Sequence, residues 1–352
     1  MKAILLAGGQ GSRLRPLTVT TPKPVVPIFD RPFLQYQIDL IRRVPDITEI
    51  VLSLNYQPER IEAVFGDGRH LGVRLRYVVE PSPLGTGGAI KFAASPLAAE
   101  PIVVFNGDVL TTVDLGAVLA RHRALKARAT IVLTPVDNPL AYGLVETDAS
   151  GHVRAFIEKP DPRDVRCNTI NAGIYVLEAD SLARIPDGVA YSIERGYFPS
   201  LIAGAETFAA VTDGGYWIDI GTPDKYRQAH RDIMDGRFPA PPFLGAAGTA
   251  IVDPTAEVAR SAVLEAPCFV GARATIASGA RVGAYSVIGA DCRIGADASI
   301  AGAVLWPATV VGAGARVGAT IAGRATFLGA HTRVSDGTAL GDGTTLPDFS
   351  HV

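Results

Sequence analysis

The chain opens on a short apolar run, Ala3–Ala7, and apolar positions then recur in two alternating rhythms. Helical spacing marks Phe33–Val44 through Phe33, Leu34, Ile38, Ile41 and Val44, and it returns over Pro58–Phe65 and Gly87–Ala98. Strand-like runs separate these segments at Glu49–Leu54, Val73–Val79 and Ile102–Phe105. This alternation predicts right-handed βαβ units and a mostly parallel sheet covered by helices. From Ala129 onward strands dominate, through Thr130–Val136, Gly143–Glu146, Val153–Ile157 and Ile170–Leu177. Helical signals come back at Ser192–Ile202 and at Asp224–Met234. Residues 1–236 therefore read as a Rossmann-like α/β domain with a β-rich portion inserted or appended.

Residues 237–248, rich in Pro and Gly, carry no periodicity and read as a linker. Beyond them, over 249–352, a six-residue period appears. Val252, Val258, Leu264, Val270, Ile276, Val282, Ile288, Ile294 and Ile300 follow one another at steps of six. The phase slips near Trp306-Pro307, resumes at Val311 and Val317, slips again, and resumes at Leu328, Val334, Leu340 and Leu346. Glycine follows the aliphatic position repeatedly, as at Gly271, Gly289 and Gly312. One short strand and one tight turn per hexad predict a narrow solenoid, the aliphatic side chain pointing inward and glycine relieving the turn. A disordered Ala/Gly tail has no reason to keep such a period.

Composition narrows the function. Of 352 residues, 48% are hydrophobic and 19% charged, enough for a large core, and the formal net charge is −2. That balance lacks the clustered basic charge of a nucleic-acid binder. Three scattered cysteines, Cys167, Cys268 and Cys292, form neither a disulfide framework nor a zinc pattern. The first apolar run stops at Gly8-Gly9, too short for a signal core, and no stretch has the length of a membrane helix. These features predict a cytoplasmic protein with no membrane and no nucleic-acid partner.

The chemistry begins at the end of the first strand, in Ala7-Gly8-Gly9-Gln10-Gly11-Ser12-Arg13-Leu14. Glycines there let backbone N–H groups approach phosphate oxygens. Two common phosphate loops do not fit. Leu14 stands where a dinucleotide fingerprint wants a small residue, and Arg13 where a P-loop wants glycine. Lys23, between Pro22 and Pro24, is held out of any helix beside this loop. A lysine so fixed suits a transferring phosphoryl group.

Together these residues resemble the signature of sugar-nucleotide pyrophosphorylases, Gly-Gly-x-Gly-Thr-Arg-Leu followed by Pro-Lys-Pro, with Ser12 replacing Thr and keeping its hydroxyl. The resemblance runs over essentially the whole chain, and the hexad region resembles the left-handed β-helices of sugar-modifying enzymes. What it implies is a nucleotidyltransferase that joins a nucleoside triphosphate to a sugar 1-phosphate and releases pyrophosphate. Arg13, Lys23, Asp108 and Asp219 are the implied catalytic residues, with Asp108 (in Phe105-Asn106-Gly107-Asp108) and Asp219 (in Trp217-Ile218-Asp219-Ile220-Gly221-Thr222) as ligands of a Mg²⁺ cofactor. Leu6, Ala7, Gly8, Gly9, Gly11, Ser12, Arg13, Glu80, Gly85, Thr86 and Asn106 would bind the nucleotide. Gly143, Glu158 and Lys159 (Glu-Lys-Pro) and Asn171 (Asn-Ala-Gly) would bind the sugar phosphate.

Glu80 bears on the choice of base. A carboxylate only accepts hydrogen bonds; guanine offers two adjacent donors, whereas uracil and thymine offer one beside repelling acceptors. The run Pro-Leu-Gly-Thr-Gly-Gly over 83–88 also looks most like guanylyltransferases acting on mannose 1-phosphate or a manno-heptose 1-phosphate. GTP is thus preferred, with thymidylyl or uridylyl transfer to glucose 1-phosphate as the alternative. Two readings of other kinds compete with it: a hexapeptide acyltransferase, for which only His331 and His351 in the repeat could serve as base, and a non-catalytic regulatory subunit. The repeat itself predicts a homo-oligomer.

Overall fold

The computed structural model describes residues 1–95 and 100–352. The chain divides into two compact units, Met1–Gly9 with Leu34–Trp217, and Gln10–Phe33 with Ile218–Val352.

The first unit is built on a nine-stranded mixed sheet of β1 (Lys2–Leu6), β2 (Glu49–Leu54), β3 (Arg74–Val79), β4 (Ile102–Asn106), β5 (Ala129–Pro135), β6 (Gly143–Thr147), β7 (Val153–Glu158), β8 (Thr169–Leu177) and β9 (Phe208–Thr212). The main path runs β7-β6-β8-β4-β1-β2-β3, and β5 pairs with both β8 and β9. Pairing is parallel along β3-β2-β1-β4 and antiparallel around β8. Residues 2–5 of the first strand illustrate why: Ala3, Ile4 and Leu5 are wholly buried, as a strand covered on both faces requires. Helices α1 (Phe33–Ile41), α2 (Pro58–Phe65), α3 (Gly85–Ala94), α4 (Leu115–Leu125) and α5 (Phe198–Ala203) accompany the sheet in sequence. The predicted helix over Gly87–Ala98 starts two residues earlier and is helical to Ala94; its positions 96–98 lie outside the described residues. Of the strands and helices named here, α4 and β9 escaped the sequence pattern. The first is capped by Asp114, whose carboxylate accepts from Ala117 N at 3.0 Å. The core gathers Ile4, Val104, Ile131 and Tyr175 with Phe198 and Phe208, whose rings stack 5.0 Å apart.

In the second unit, strands of two or three residues form three parallel sheets, the faces of a parallel β-helix. Ala250 pairs with Cys268 and Glu257 with Thr275, three hexads on. The two phase slips in the sequence are single-residue deletions at corners. Val287 pairs with Val304, one residue short of three hexads, and Ile321 with Ala339, three hexads again. Both shortened corners lead into strands of the same sheet, Val304–Leu305 and Ile321–Ala322, so the inward positions stay aligned. Val270, Ile288, Leu305 and Ala322 accordingly share one core column with the aliphatic residues of the other faces. Each such buried side chain contributes roughly 1.5–3 kcal/mol, which two-residue strands could not gain singly.

Glycine's part in the repeat differs from the expectation. The glycines after the aliphatic position are not the turn residues; the left-handed turn positions fall instead at Arg273, Tyr285, Asp291 and His331, and at other glycines such as Gly279, Gly314 and Gly343. A side chain at Gly289 would stand 2.8 Å from Leu305 O and Pro307 N, so glycine is needed where successive coils approach most closely. The thiols of Cys268 and Cys292 are buried within the coil, which pushes them up to about 11 and about 12.

This unit also contains α6 (Pro223–Met234) and residues 10–33. Phe29 packs on His230, Phe243 and Phe269 at ring distances of 4.9, 5.3 and 5.3 Å. Tyr226 donates to Pro27 O and accepts from Trp306 Nε1. The Pro-flanked lysine segment is thereby anchored to the β-helix side of the chain.

Candidate active site

The predicted site residues fall into both units. Leu6, Ala7, Gly8, Gly9, Glu80, Gly85, Thr86, Asn106, Asp108, Gly143, Glu158, Lys159 and Asn171 belong to the first; Gly11, Ser12, Arg13, Lys23 and Asp219 belong to the second.

In the first unit, the register aligns Leu6 with Ser53 on β2 and with Asn106 on β4, at the carboxyl ends of the parallel strands where such sheets bind ligands. Close backbone approach dictates the glycines. A side chain at Gly8 would stand 3.0 Å from Asn55 N, and one at Gly107 would collide with Leu6 O, whereas Gly9 has open space around it. Glu80 is buried; one oxygen accepts from Ser53 Oγ at 3.1 Å and the other from Leu84 N at 3.0 Å. The carboxylate therefore anchors the 80–88 loop, and each oxygen keeps a lone pair for a further donor. The loop's glycines serve packing: Gly87 N and Gly88 N donate to Tyr191 O at 2.8 and 3.1 Å. Thr86 Oγ1 donates to Glu194 at 2.7 Å and accepts from Ile193 N at 2.9 Å.

The sugar-side residues converge through sheet register. Glu158 on β7 lies opposite Gly143 on β6, and a side chain at Gly143 would stand 3.0 Å from Glu158 Oε2. Lys159 follows in a left-handed conformation (φ 54°), uncommon for a lysine and typical of constrained sites. Asn171 opens an irregularity in the β8–β5 pairing; its amide donates to Tyr175 Oη at 2.8 Å and its carbonyl accepts from Gly173 N at 2.8 Å. Gly173 in turn lies directly against the Asn106 side chain, whose Oδ1 is buried with no hydrogen-bond partner among the described residues. Trp217 Nε1 donates to Ala172 O at 2.9 Å, and its ring meets Tyr142 edge-on at 5.6 Å. Glu158 is half-buried. Burial first, and the charge of Glu194 second, raise it above the ordinary carboxylate range against the lowering pull of Lys159 and Arg195.

In the second unit, Gly11 adopts φ 61° and lies 3.3 Å, at its missing Cβ, from Lys23 Cβ. Thr18 Oγ1 donates to Gly11 O at 2.8 Å, folding the segment back on the glycine loop. Lys23 is 9% exposed and, against the expectation that its prolines hold it out of any helix, opens a short 3₁₀ turn, Lys23–Val25, after the extended Pro22, because a proline is tolerated in the first turn. Arg13 is exposed and Asp219 buried, yet Arg13 Nη2 and Asp219 Oδ2 lie 2.9 and 2.8 Å from one point, the missing Cβ of Gly221. A guanidinium and a carboxylate thus meet over a glycine whose side chain, if it had one, would push one of them aside.

Three residues that the motifs did not single out hold candidate groups, each within its own unit. Lys225 forms an ion pair with Asp219 Oδ1. Gln37, 2% exposed, donates from Nε2 to Asn106 O and to Val109 O, both at 2.8 Å, and so brackets Gly107-Asp108. Glu194 links Thr86 to the surroundings of Glu158. Gln37 had a readable signal, being a polar residue on the apolar face between Leu34 and Ile41. Lys225 and Glu194 had none.

Residues 2–236 match the family described as nucleotidyl transferase, and residues 264–352 match the GMPPB C-terminal domain. The chain is 40% identical over 280 residues to the mannose-1-phosphate guanylyltransferase of Mycobacterium tuberculosis, covering 79% of this chain and 77% of that one. It is 37% identical over 277 residues to a probable mannose-1-phosphate guanylyltransferase 2 of Arabidopsis thaliana, covering 75% of each. Among solved structures, HddC from Yersinia pseudotuberculosis complexed with GMP-PN is similar at a TM-score of 0.56 and 30% identity, covering 66% of this chain and 99% of that one.

Proposed function

Since the chain belongs to the nucleotidyl transferase family, we propose that it joins GTP to mannose 1-phosphate, releasing pyrophosphate and leaving GDP-mannose. The observation that carries the chemistry is the seating of Arg13 beside Asp219 at Gly221, with Lys23 packed against Gly11 in the same unit.

A sugar phosphate is already anionic at neutral pH, so no base is needed to create the nucleophile. Its oxygen attacks the α-phosphorus in line, opposite the departing pyrophosphate. Catalysis then rests on positioning and charge neutralisation. Arg13 and Lys23 stabilise the triphosphate and its developing charge, and Lys159 orients the attacking phosphate. Glu158, Asn171 and the backbone of Gly143 take the sugar hydroxyls. Glu80, with one lone pair left on each oxygen, accepts from the two adjacent donors of guanine.

Asp108 and Asp219, each in its own motif, are the residues that would hold Mg²⁺. Among the described residues no group of three or more His, Cys, Asp or Glu could hold a metal alone. A sparse carboxylate set fits Mg²⁺, which keeps waters and takes phosphate oxygens. At Asp219, Oδ1 faces Lys225 while Oδ2 faces Gly221. When bound, the ion would offset phosphate charge.

In the same reading, residues 1–236 form the catalytic domain, 237–248 the linker and 249–352 the hexapeptide domain, through which the cytoplasmic protein assembles as a homo-oligomer. Among the described residues no helix is long and apolar enough to cross a membrane.

The test is a pyrophosphate-release panel crossing GTP, UTP and dTTP with mannose, manno-heptose and glucose 1-phosphates. The highest kcat/KM is expected for GTP with mannose 1-phosphate; a preference for UTP or dTTP would reject the role of Glu80. Arg13→Ala and Asp108→Ala are expected to lower turnover by about 10²–10³ with the fold intact. Wild-type turnover in either would remove its assigned role.

A further inference from the structure

Three aspartates stand six residues apart in the last coils of the β-helix, and each does the same local job. Asp336, Asp342 and Asp348 accept through Oδ1 from the backbone N–H of Ala319, Arg324 and Ala330, one coil earlier, at 2.7, 2.8 and 2.8 Å. Asp342 differs in its second oxygen. Oδ2 accepts from Thr20 Oγ1 at 2.5 Å and from Thr21 Oγ1 at 2.8 Å, contacts that among the described residues have no counterpart at Asp336 or Asp348. Next to it, the missing Cβ of Gly341 lies 3.3 Å from Pro16 Cβ. The same coil therefore touches the 16–21 segment at both ends.

That segment joins Arg13 to Lys23. Pro16 follows the short turn Ser12–Leu14, and Thr21-Pro22 leads directly into the turn that opens with Lys23. Its backbone hydrogen bonds include the turns Leu14 N to Gly11 O, Leu17 N to Leu14 O and Val19 N to Pro16 O. Leu14, Leu17 and Thr18 pack one side of the segment into the interior, whereas the exposed Thr20 and its neighbour Thr21 reach the carboxylate from the other side. A carboxylate accepting two hydroxyl hydrogen bonds is a charge-assisted anchor, roughly twice as strong as a neutral one.

We propose that Asp342 is a positioning residue for the reaction: the β-helix, through this side chain, holds the segment that carries Arg13 and Lys23. The solenoid is then part of the machinery that presents positive charge to the triphosphate. This inference rests on the roles given above to Arg13 and Lys23.

The test uses the full chain and three matched variants, Asp342→Ala, Asp336→Ala and Asp348→Ala. All three lose the same backbone cap, and Asp342→Ala alone loses the threonine contacts. Hydrogen exchange is followed at the amides of residues 13–26, with kcat and KM for GTP and for mannose 1-phosphate. Asp342→Ala is expected to speed exchange in this segment about tenfold and to lower kcat/KM for GTP about tenfold, KM for mannose 1-phosphate staying unchanged. The two controls should leave both readouts at wild-type values. If Asp342→Ala does not fold, the double variant Thr20→Val/Thr21→Val, which spares the backbone cap, must reproduce the local exchange and the kinetic change.

Equal behaviour of the three aspartate variants would overturn the proposal, as would faster exchange with unchanged kinetics. Inactivity of the wild-type chain on every substrate pair would instead reject the proposed reaction and, with it, the catalytic part of this inference, while the exchange contrast would still report whether Asp342 holds the segment.

Discussion

The ammonium of Lys225, in the first turn of α6, forms an ion pair with Asp219, the carboxylate that shares the space at Gly221 with Arg13. A buried acid held this way has its orientation set before any substrate arrives. Lys225 then acts through Asp219. Asp219→Ala is expected to lower kcat by about 10²–10³ and Lys225→Ala by about tenfold, with the double variant close to Asp219→Ala alone. Steady-state pyrophosphate release decides; losses that multiply in the double variant would mean that Lys225 acts independently.

A methyl group at Gly221 would stand within 3 Å of Asp219 Oδ2 and Arg13 Nη2, the ends of two side chains, so at least one of them must shift to admit it. Gly221→Ala should therefore displace one of the two charged groups and lower kcat about tenfold or more, since such sites depend on sub-ångström placement. Thermal melting is expected to change little, as Arg13 is an exposed side chain. Wild-type turnover in this variant would show that the pair's placement is unimportant.

Gln37 holds Asn106 O and Val109 O on either side of Asp108. Gln37→Leu keeps the volume and removes both donors, leaving buried carbonyls without this partner at a cost of about 1–3 kcal/mol. The expected result is a lower melting temperature together with a kcat loss, KM for mannose 1-phosphate being retained. A variant that is less stable yet fully active would confine Gln37 to structural support.

Glu158 sits above the ordinary carboxylate range through burial and the charge of Glu194, offset by Lys159 and Arg195. As pH falls it is protonated earlier than an ordinary glutamate and loses its capacity as a charged acceptor for sugar hydroxyls. KM for mannose 1-phosphate should rise on the acid side, and Glu194→Gln should move that limb to lower pH. An unmoved limb in Glu194→Gln would remove Glu194 from the account.

His230 is buried between Phe29 and Tyr226; it accepts from Phe29 N at 3.3 Å, and Nδ1 lies 3.0 Å from Tyr226 O. Burial pushes it down from 6.5 to about 4. The unfolded chain then binds the extra proton first, so the stability is present above about 6.5 and is lost as pH falls toward 4, on the order of 3 kcal/mol. Melting followed from pH 7.5 to 4.5 should show this fall, and His230→Gln should flatten it. An equal slope in the variant would assign the loss to other groups.

Much of this is legible in the sequence alone. The six-residue aliphatic period by itself specified a stacked coil, because only a repeating inward position demands such a rhythm. The glycine loop, Lys23 between prolines and the motifs around Asp108, Glu158, Asn171 and Asp219 specified the family. Local spacing also placed most strands within a residue or two, since apolar alternation reflects burial directly. What only the tertiary structure decided were relations between distant residues: Lys225 with Asp219, Gln37 across the Asp108 turn, Thr20 and Thr21 with Asp342, and coil contact rather than turn geometry as the reason for Gly289. Periodicity records which face of an element is buried. It carries no record of which polar atoms meet once those faces pack, and here those meetings hold the proposed catalytic groups in place.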